Sequence, residues 1–523
     1  MSTSWKQYKT GRNIATGIFL LLTNMLLVLT VWVQIRFSSV DMTTVIFQLK
    51  VPIEGADASN FYEIFIFLGT IAPAMLLVEI ALFQWAAHIR RKRAEKSKTG
   101  GVSGWILRHR KMIAAVCLIA AVSVLMFCMH IVKYVVHQFG NSPIYDDEYV
   151  GAETVMIKAP EKKKNLIYIY MESMEDSYAD REHGGASKEN MIPEMTEIAV
   201  NNINFTPKGS NQLNGAQAVV GTTWTMASLV ANTGGVPLTI PINQNAMGYH
   251  EYRTFLPGVY NLGQVLAEND YNLAFLIGSE KEFSGADIFM TTHGDYTIHD
   301  YQTFKDVGWI QPDYKVWWGV EDEKVYDYAI EVLTQLTQED KPFALTMMTM
   351  DTHFTDGFRC RLCGTKFPDQ YSNVIACASK QLDKFLDWLS RQPYYEDTTI
   401  IVVGDHPTMD TKYTGSLPYN DSKYVRKCYC AVLNSSVDYT LSYARDFTSM
   451  DMFPTTLAAM GFTIPGDRLG IGVNLFADTP TMLEKYGVSK LNDLLEERSD
   501  FYDELLYGPP AEREFPLVNT QEP

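Results

Sequence analysis

Three long stretches almost free of charge open this chain, and no other feature limits its fold as tightly. The first runs from Asn13 to Ile35 with no charged residue, the second from Ile64 to Ile89 with Glu79 alone, and the third from Met112 to Val132. Each reaches the roughly 20 residues needed to cross about 30 Å of hydrocarbon. The first is too long, and followed by too much further apolar sequence, for a cleaved signal peptide. Glu79 has two readings: a functional intramembrane carboxylate, or the partner in a helix–helix hydrogen bond.

Basic residues orient these spans. Lys6, Lys9 and Arg12 precede the first. Arg90, Arg91, Lys92, Arg93, Lys96, Lys98, Arg108, Arg110 and Lys111 lie between the second and third, against Arg36 and Lys50 between the first and second. The positive-inside rule places the N-terminus and the basic loop in the cytoplasm. Three crossings then deliver everything after about residue 135 to the outer side. The expected location is a bacterial inner membrane, multi-pass, with the large remainder extracytoplasmic.

Charge divides at the same place. Residues 1–135 hold 15 Lys and Arg against 6 Asp and Glu, and the rest holds 29 against 55. An acidic exterior part argues against nucleic-acid binding. Cys117 and Cys128 fall in the third span as small apolar residues. Cys360, Cys363, Cys377, Cys428 and Cys430 fall in the exported part, where disulfides are permitted. Cys360-x-x-Cys363 resembles half a zinc ribbon, but no second CxxC or His pair completes it, so a bridge from Cys360 or Cys363 to Cys377 is expected instead.

The organisation expected is a membrane part over 1–135, a linker over 136–164, a catalytic domain over 165–490, and an acidic helix (Leu491–Leu506) and tail over 491–523. From Asn165 on, short continuous apolar runs alternate with helical patterns. The runs are Leu166–Met171, Leu273–Ile277, Phe343–Met348 and Thr399–Val403; helical stretches include Val325–Thr337 and Val374–Arg391. Such runs suit strands covered on both faces, so the fold class is α/β with a mostly parallel sheet. In these sheets ligands bind beyond the carboxyl ends of the strands.

Polar residues just past those ends are therefore the candidates. Glu172 follows the first strand; alone it could equally be a capping or salt-bridged carboxylate. Asp351, Thr352 and His353 follow the third, and Asp405-His406 the fourth. An adjacent Asp and His can converge on one ion through an oxygen and a nitrogen, a mixed set that suits Mn²⁺, Zn²⁺ or Mg²⁺. Gly221-Thr-Thr-Trp-Thr225 leads into a helical stretch, Met226–Ala231. A threonine there is an N-cap on the plain reading. On the functional reading, the helix N-terminus holds a phosphate and a metal ion turns the hydroxyl into a nucleophile. Thr222, Thr223 and Thr225 all remain open on spacing alone. His353 and His293 (in Thr292-His-Gly294) are each either oxygen-binding groups or ordinary loop histidines.

Four patches in this order resemble the phosphoglycerol transferases of the alkaline phosphatase/sulfatase superfamily, which include lipoteichoic acid synthases and enzymes that decorate periplasmic glucans. The patches are Tyr168-Ile-Tyr-Met-Glu-Ser173, Gly221-Thr-Thr-Trp-Thr-Met-Ala-Ser228 with Gly235-Val-Pro-Leu238, Asp351-Thr-His-Phe-Thr-Asp-Gly357, and Gly404-Asp-His406. The resemblance spans roughly Asn165 to Leu475 and is nearest to the glucan-modifying enzymes, which share a similar Asp-Thr-His and Thr-His-Gly and cysteines resembling Cys363 and Cys377.

The resemblance implies a three-layer αβα domain behind transmembrane helices. It implies one divalent metal ion, Mn²⁺ foremost with Zn²⁺ or Mg²⁺ as alternatives, on Glu172, Thr225, Asp405 and His406. Thr225 becomes the nucleophile, passing through a phospho-threonine. His353 becomes a catalytic and substrate-binding residue, with Lys281, His293 and Trp224 as further substrate contacts. The implied partners are an anionic glycerophospholipid donor, phosphatidylglycerol, and a glycan or glycerol-phosphate acceptor.

Two departures stand out. Lipoteichoic acid synthases carry a Trp-Asn-Arg-Asp run where this chain reads Ser284-Gly-Ala-Asp287, so Ala286 replaces a phosphate-holding arginine. The nucleophile region has no Cys/Ser-x-Pro-x-Arg, the run a sulfatase converts to formylglycine. Phosphoethanolamine transfer and lipid phosphodiesterase activity are the rival readings. The former is disfavoured because no cysteine lies between 129 and 359 to frame the nucleophile. A receptor or scaffold with a degenerate hydrolase fold is the non-enzyme rival.

Overall fold

The computed structural model describes residues 2–37, 42, 45–46, 58–95, 102–240 and 254–508. They fall into two compact units, one helical and N-terminal, the other α/β.

The helical unit holds α1 (Ser2–Phe37), α2 (Ala72–Glu95, continuing from a shorter helix at Ala58–Ile66) and α3 (Val102–Cys128). Within them, Ile14–Gln34, Tyr62–Lys92 and Trp105–Cys128 are long and apolar enough to cross a membrane. Hydroxyls inside them return to carbonyls one turn back: Thr23 to Phe19, Thr30 to Leu26 and Ser123 to Ile119. Polar groups are thereby satisfied without water. Glu79 Oε2 accepts from Asn24 Nδ2 at 3.2 Å, which is the helix–helix hydrogen bond of the two readings above. The third helix differs from expectation at both ends. It starts at Val102 because Arg108, Arg110 and Lys111 break an apolar window but not a helix. It stops at Cys128, short of Val132, because the chain turns at Met129–His130, where His130 has φ +50°; a separate helix, Ile131–His137, follows. Lys50, Lys96 and Lys98 lie outside the described residues.

The α/β unit is built on one sheet of β1 (Asn165–Met171), β2 (Asn272–Ile277), β3 (Thr297–His299), β4 (Phe343–Met348), β5 (Thr398–Gly404) and β6 (Cys430–Leu433). The order is β3-β2-β4-β1-β5-β6; β6 pairs antiparallel with β5 and every other pairing is parallel. The four expected strands form. β3 and β6 escaped the apolar-run criterion because they are only three and four residues long.

Alternate side chains feed two cores. From β1, Leu166, Tyr168 and Tyr170 enter one, and Ile167, Ile169 and Met171 the other. The first core takes residues from α5 (Thr225–Gly234), α6 (Leu262–Glu268) and α9 (Met452–Ala459). The second takes them from α4 (Pro193–Asn201), α7 (Asp322–Leu336) and α8 (Gln370–Ser390). The result is three layers, αβα. In β5, Ile400, Ile401, Val402 and Val403 are all buried. At about 1.5–3 kcal/mol each, their burial offsets the roughly 1–2 kcal/mol of backbone entropy and the further side-chain entropy lost per residue.

Two boundary expectations change. The stretch 136–164 is not a free linker. It forms a short helix at Ile144–Glu148 and bridges Val150 to Gly470 and Lys158 to Thr463. Glu148 is buried there and takes hydrogen bonds from Arg468, Lys485 and Tyr486, the last at 2.8 Å. These partners lie more than 300 residues away in sequence, which local polarity cannot reveal. The C-terminal helix forms as two, Met482–Glu496 and Asp500–Tyr507, whose Leu491, Leu494, Leu495, Leu505 and Leu506 join the first core. The tail beyond residue 508 lies outside the described residues.

Candidate active site

Parallel pairing brings the carboxyl ends of β1, β4 and β5 to one edge of the sheet, and the site is assembled there. Glu172 directly follows β1 and Asp405-His406 directly follow β5. One ligand-type atom from each of Glu172, Asp405 and His406 lies within 4.8 Å of the others, and all three residues are buried. His406 Nε2 stands 3.6 Å from Glu172 Oε1 and 3.3 Å from Asp405 Oδ2.

Local sequence explains the convergence. Gly404 ends β5 against Met174: a Cβ there would stand 1.8 Å from the Met174 carbonyl oxygen, so only hydrogen fits. Ser173, missed in the sequence, ties both acids together. Its backbone N–H donates to Asp405 Oδ1 at 2.7 Å and its hydroxyl to Glu172 Oε1 at 2.6 Å. It does so from a left-handed conformation, φ +50°, which costs a non-glycine residue on the order of 1–3 kcal/mol. The Glu172 N–H donates to Thr349 Oγ1, and Thr352 Oγ1 donates to the Glu172 carbonyl.

Thr225 is the first residue of α5, which no side chain caps. Its hydroxyl is half-buried and lies 3.4 Å from His406 Nε2. Helix N-termini carry unsatisfied N–H groups and a positive dipole end, so an anionic phosphoryl group fits beside this hydroxyl. Gly221, at φ +75°, turns the chain into that helix, and its Cβ position is blocked by Pro237 at 2.7 Å. Of the three threonines left open by spacing, Thr225 is the one beside His406. Thr222 instead bonds the Val219 carbonyl and is buried.

The electrostatics ask for a cation. Burial first, and then Glu172, push the Asp405 carboxyl up to about 7. Asp405 Oδ2 is buried and accepts no hydrogen bond among the described residues. Burial pulls the His406 pKa down, but Asp405 and Glu172 outweigh it and the net movement is upward. His406 Nδ1 lies 3.0 Å from the Pro407 carbonyl. Assigned as the donor, it leaves Nε2 with a lone pair facing both acids, the orientation typical of a metal-ligating histidine. Two carboxylates, an imidazole nitrogen and a hydroxyl fit a divalent metal ion.

His353 sits half-buried after β4, with its ring 5.1 Å from Trp318 and its Nδ1 donating to the Phe354 carbonyl at 2.6 Å. A second acidic pair lies beside it. Asp322, at the start of α7, accepts from the N–H groups of Met350 and Asp351 at 2.6 and 3.1 Å. Burial and mutual repulsion push Asp351 to about 10; burial pushes Asp322 to about 7. Asp322 carries no strand-end signal in the sequence and could not have been picked out.

One expected substrate contact is corrected. His293 is 1% exposed, with Nε2 2.7 Å from the Phe255 carbonyl and Nδ1 3.0 Å from Gln264 Oε1. Burial pulls its pKa down to about 4 and both ring nitrogens are engaged inside the fold, so it is a structural histidine. Trp224 is buried in the first core and directly precedes α5. Lys281 is half-buried on the turn after β2, its N–H on Asp300.

The sulfatase family profile matches residues 164–462, more than half of the chain. Phosphoglycerol transferase I of Shigella boydii is 28% identical over 391 residues, covering 71% of this chain and 48% of its own length, and the Escherichia coli protein of that name matches equally. The chain thus spans about half the length of these curated relatives. Among solved structures, the Neisseria meningitidis integral membrane lipooligosaccharide phosphoethanolamine transferase A aligns at a TM-score of 0.51. It is 12% identical and covers 92% of this chain and 87% of that one, a likeness of fold. With its αβα layers and strand-end cluster, the chain belongs to the sulfatase family.

Proposed function

We propose that this chain is a membrane-anchored phosphoglycerol transferase of the inner membrane, multi-pass, with its α/β unit on the extracytoplasmic side. The observation that carries the reading is Thr225 Oγ1 at an uncapped helix N-terminus, 3.4 Å from His406 Nε2. The 28% identity to phosphoglycerol transferases I supports the group transferred.

In the first step Thr225 Oγ attacks the phosphorus of phosphatidylglycerol. The Oγ–P bond forms, the P–O bond to diacylglycerol breaks, and the hydroxyl proton leaves to solvent. His353 donates a proton to the departing diacylglycerol oxygen. Because Nδ1 is engaged with Phe354 O, that proton comes from Nε2. In the second step a hydroxyl of a glycan or glycerol-phosphate acceptor attacks the phosphorus and displaces Thr225 Oγ, its proton restoring His353 while Thr225 Oγ takes a proton back from solvent. The N-terminal N–H groups of α5 hold the phosphoryl oxygens through both steps. A divalent ion, Mn²⁺ in this proposal, held by Glu172, Thr225, Asp405 and His406, would lower the hydroxyl pKa and neutralise phosphoryl charge. Lys281, on the turn after β2, is the cationic group proposed to replace the arginine absent at Ala286.

Thr225→Ala is expected to abolish turnover of phosphatidylglycerol at added Mn²⁺, and wild type quenched during turnover is expected to carry phosphoglycerol on Thr225 by peptide mass spectrometry. Full turnover by Thr225→Ala refutes the covalent mechanism. Phosphoethanolamine on Thr225 moves the substrate to the rival class, and release to water alone makes the protein a phosphodiesterase.

A further inference from the structure

Beyond the His353 segment lies a cluster that the transfer chemistry does not use. Cys360 and Cys363 sit on the loop between β4 and α8, and Cys377 sits on α8. Cys360 Sγ is 3.7 Å from Cys363 Sγ and 3.7 Å from Cys377 Sγ, and all three sulfurs lie within 4.8 Å of one another. None is bridged; Cys360 and Cys377 are buried and Cys363 is half-buried.

This spacing has a chemical meaning. Sulfurs bound at about 2.3 Å around a tetrahedral zinc ion stand about 3.8 Å apart. The two 3.7 Å separations are edges of such a tetrahedron. Cys360-x-x-Cys363 forms a turn closed by the Cys363 N–H on the Cys360 carbonyl at 3.2 Å, so both thiols project from one knuckle. The sequence offered no second CxxC; the third sulfur comes from a helix instead.

Gln381 is an independent pointer. It lies one turn beyond Cys377 on α8, is buried, and places Nε2 3.5 Å from Cys377 Sγ and 4.0 Å from Cys360 Sγ. Its Oε1 is buried with no hydrogen-bond partner among the described residues. Turning the amide over directs that oxygen at the sulfurs.

We propose that Cys360, Cys363 and Cys377 bind one structural zinc ion, with the Gln381 amide oxygen at the fourth corner, separate from the Glu172–Asp405–His406 centre. Binding expels the thiol protons to solvent. The ion pins the loop that carries His353 to α8.

The test uses the full-length protein, purified in detergent without chelator or reductant. Elemental analysis is expected to find one more zinc per chain in wild type than in Cys363→Ser, a change at the half-exposed corner. Asp405→Asn is expected to keep that zinc. Cobalt in place of zinc is expected to give thiolate-to-cobalt charge-transfer absorption in wild type, and to lose it in Cys363→Ser and Cys377→Ser. Equal zinc in wild type and Cys363→Ser overturns the proposal. So does a disulfide from Cys377 to Cys360 or Cys363 in a non-reducing peptide map of the wild type.

Discussion

Gly404→Ala perturbs the site without touching any group that reacts. The added Cβ would stand 1.8 Å from the Met174 carbonyl oxygen, 2.8 Å from its carbon and 3.0 Å from the Tyr429 N–H nitrogen. A carbon–oxygen contact needs about 3.3 Å, so one backbone must retreat by about 1.5 Å. Three hydrogen bonds cross this point: Gly404 N–H to Tyr429 O at 2.8 Å, Tyr429 N–H to Met174 O at 3.0 Å, and Asp405 N–H to Met171 O at 3.1 Å. At about 1 kcal/mol each, their loss comes to about 3 kcal/mol, the upper end of typical overpacking costs. The next two residues are Asp405 and His406, and a misplacement of about 1 Å at a reacting centre costs on the order of 100-fold. Urea unfolding of the detergent-solubilised protein is expected to show a lower midpoint, and Mn²⁺ titration a weaker site. An unchanged midpoint together with unchanged Mn²⁺ affinity refutes the view that this close approach positions the ligands.

Two further substitutions separate structural from chemical roles. His293→Gln is expected to lower stability by about 1–2 kcal/mol, the size of a lost buried hydrogen bond, while the pH profile of kcat/KM stays as in wild type; a shifted profile returns His293 to the active site. Asp176→Asn is expected to stabilise the protein above neutral pH. Asp176 is buried, neither oxygen has a hydrogen-bond partner among the described residues, and burial pushes its pKa to about 8. A raised carboxyl pKa contributes stability below the unfolded value of about 3.9 and loses it as pH climbs toward 8. The gain from the variant therefore grows between pH 5 and 8, and a gain that is flat across that range contradicts the assignment.

The layered α/β architecture was legible because β1, β2, β4 and β5 are continuous apolar runs, a pattern that double-sided burial demands. Glu172, Asp405 and His406 were legible for the same reason: a parallel sheet puts strand ends together, so the residue after each run is placed by topology. What could not be read depends on partners far away in sequence. Glu148 looked like linker polarity until its arginine, lysine and tyrosine were brought to it. His293 looked available because nothing local announces the Phe255 carbonyl or Gln264. Ser173 reaches Asp405 through its backbone N–H, and Asp322 accepts from the N–H groups of Met350 and Asp351; a hydrogen bond to the backbone leaves no residue-type signature.

The carboxylates crowded at the strand ends imply a trade between stability and chemistry, and Glu172→Gln exposes it. In the metal-free protein, Glu172 is the chief charge raising Asp405, after burial itself. Asp405 therefore costs the metal-free fold stability as pH rises from about 4, its unfolded value, through about 7. Removing the Glu172 charge lowers the Asp405 pKa and relieves part of that cost. The amide keeps an oxygen for the Ser173 hydroxyl, so the local hydrogen bond survives. Metal-free Glu172→Gln is thus expected to be more stable than metal-free wild type at pH 8 and to lose that advantage at pH 5, where protonated His406 misses the Glu172 carboxylate. With saturating Mn²⁺ the order inverts, because the ion binds an anionic ligand set better and ligand binding adds stability in proportion to the logarithm of affinity. Thermal midpoints at both pH values, with and without Mn²⁺, give the four numbers required. If the variant is less stable than wild type in all four conditions, Glu172 is a structural acid, and the strand ends do not form a site strained to receive a cation.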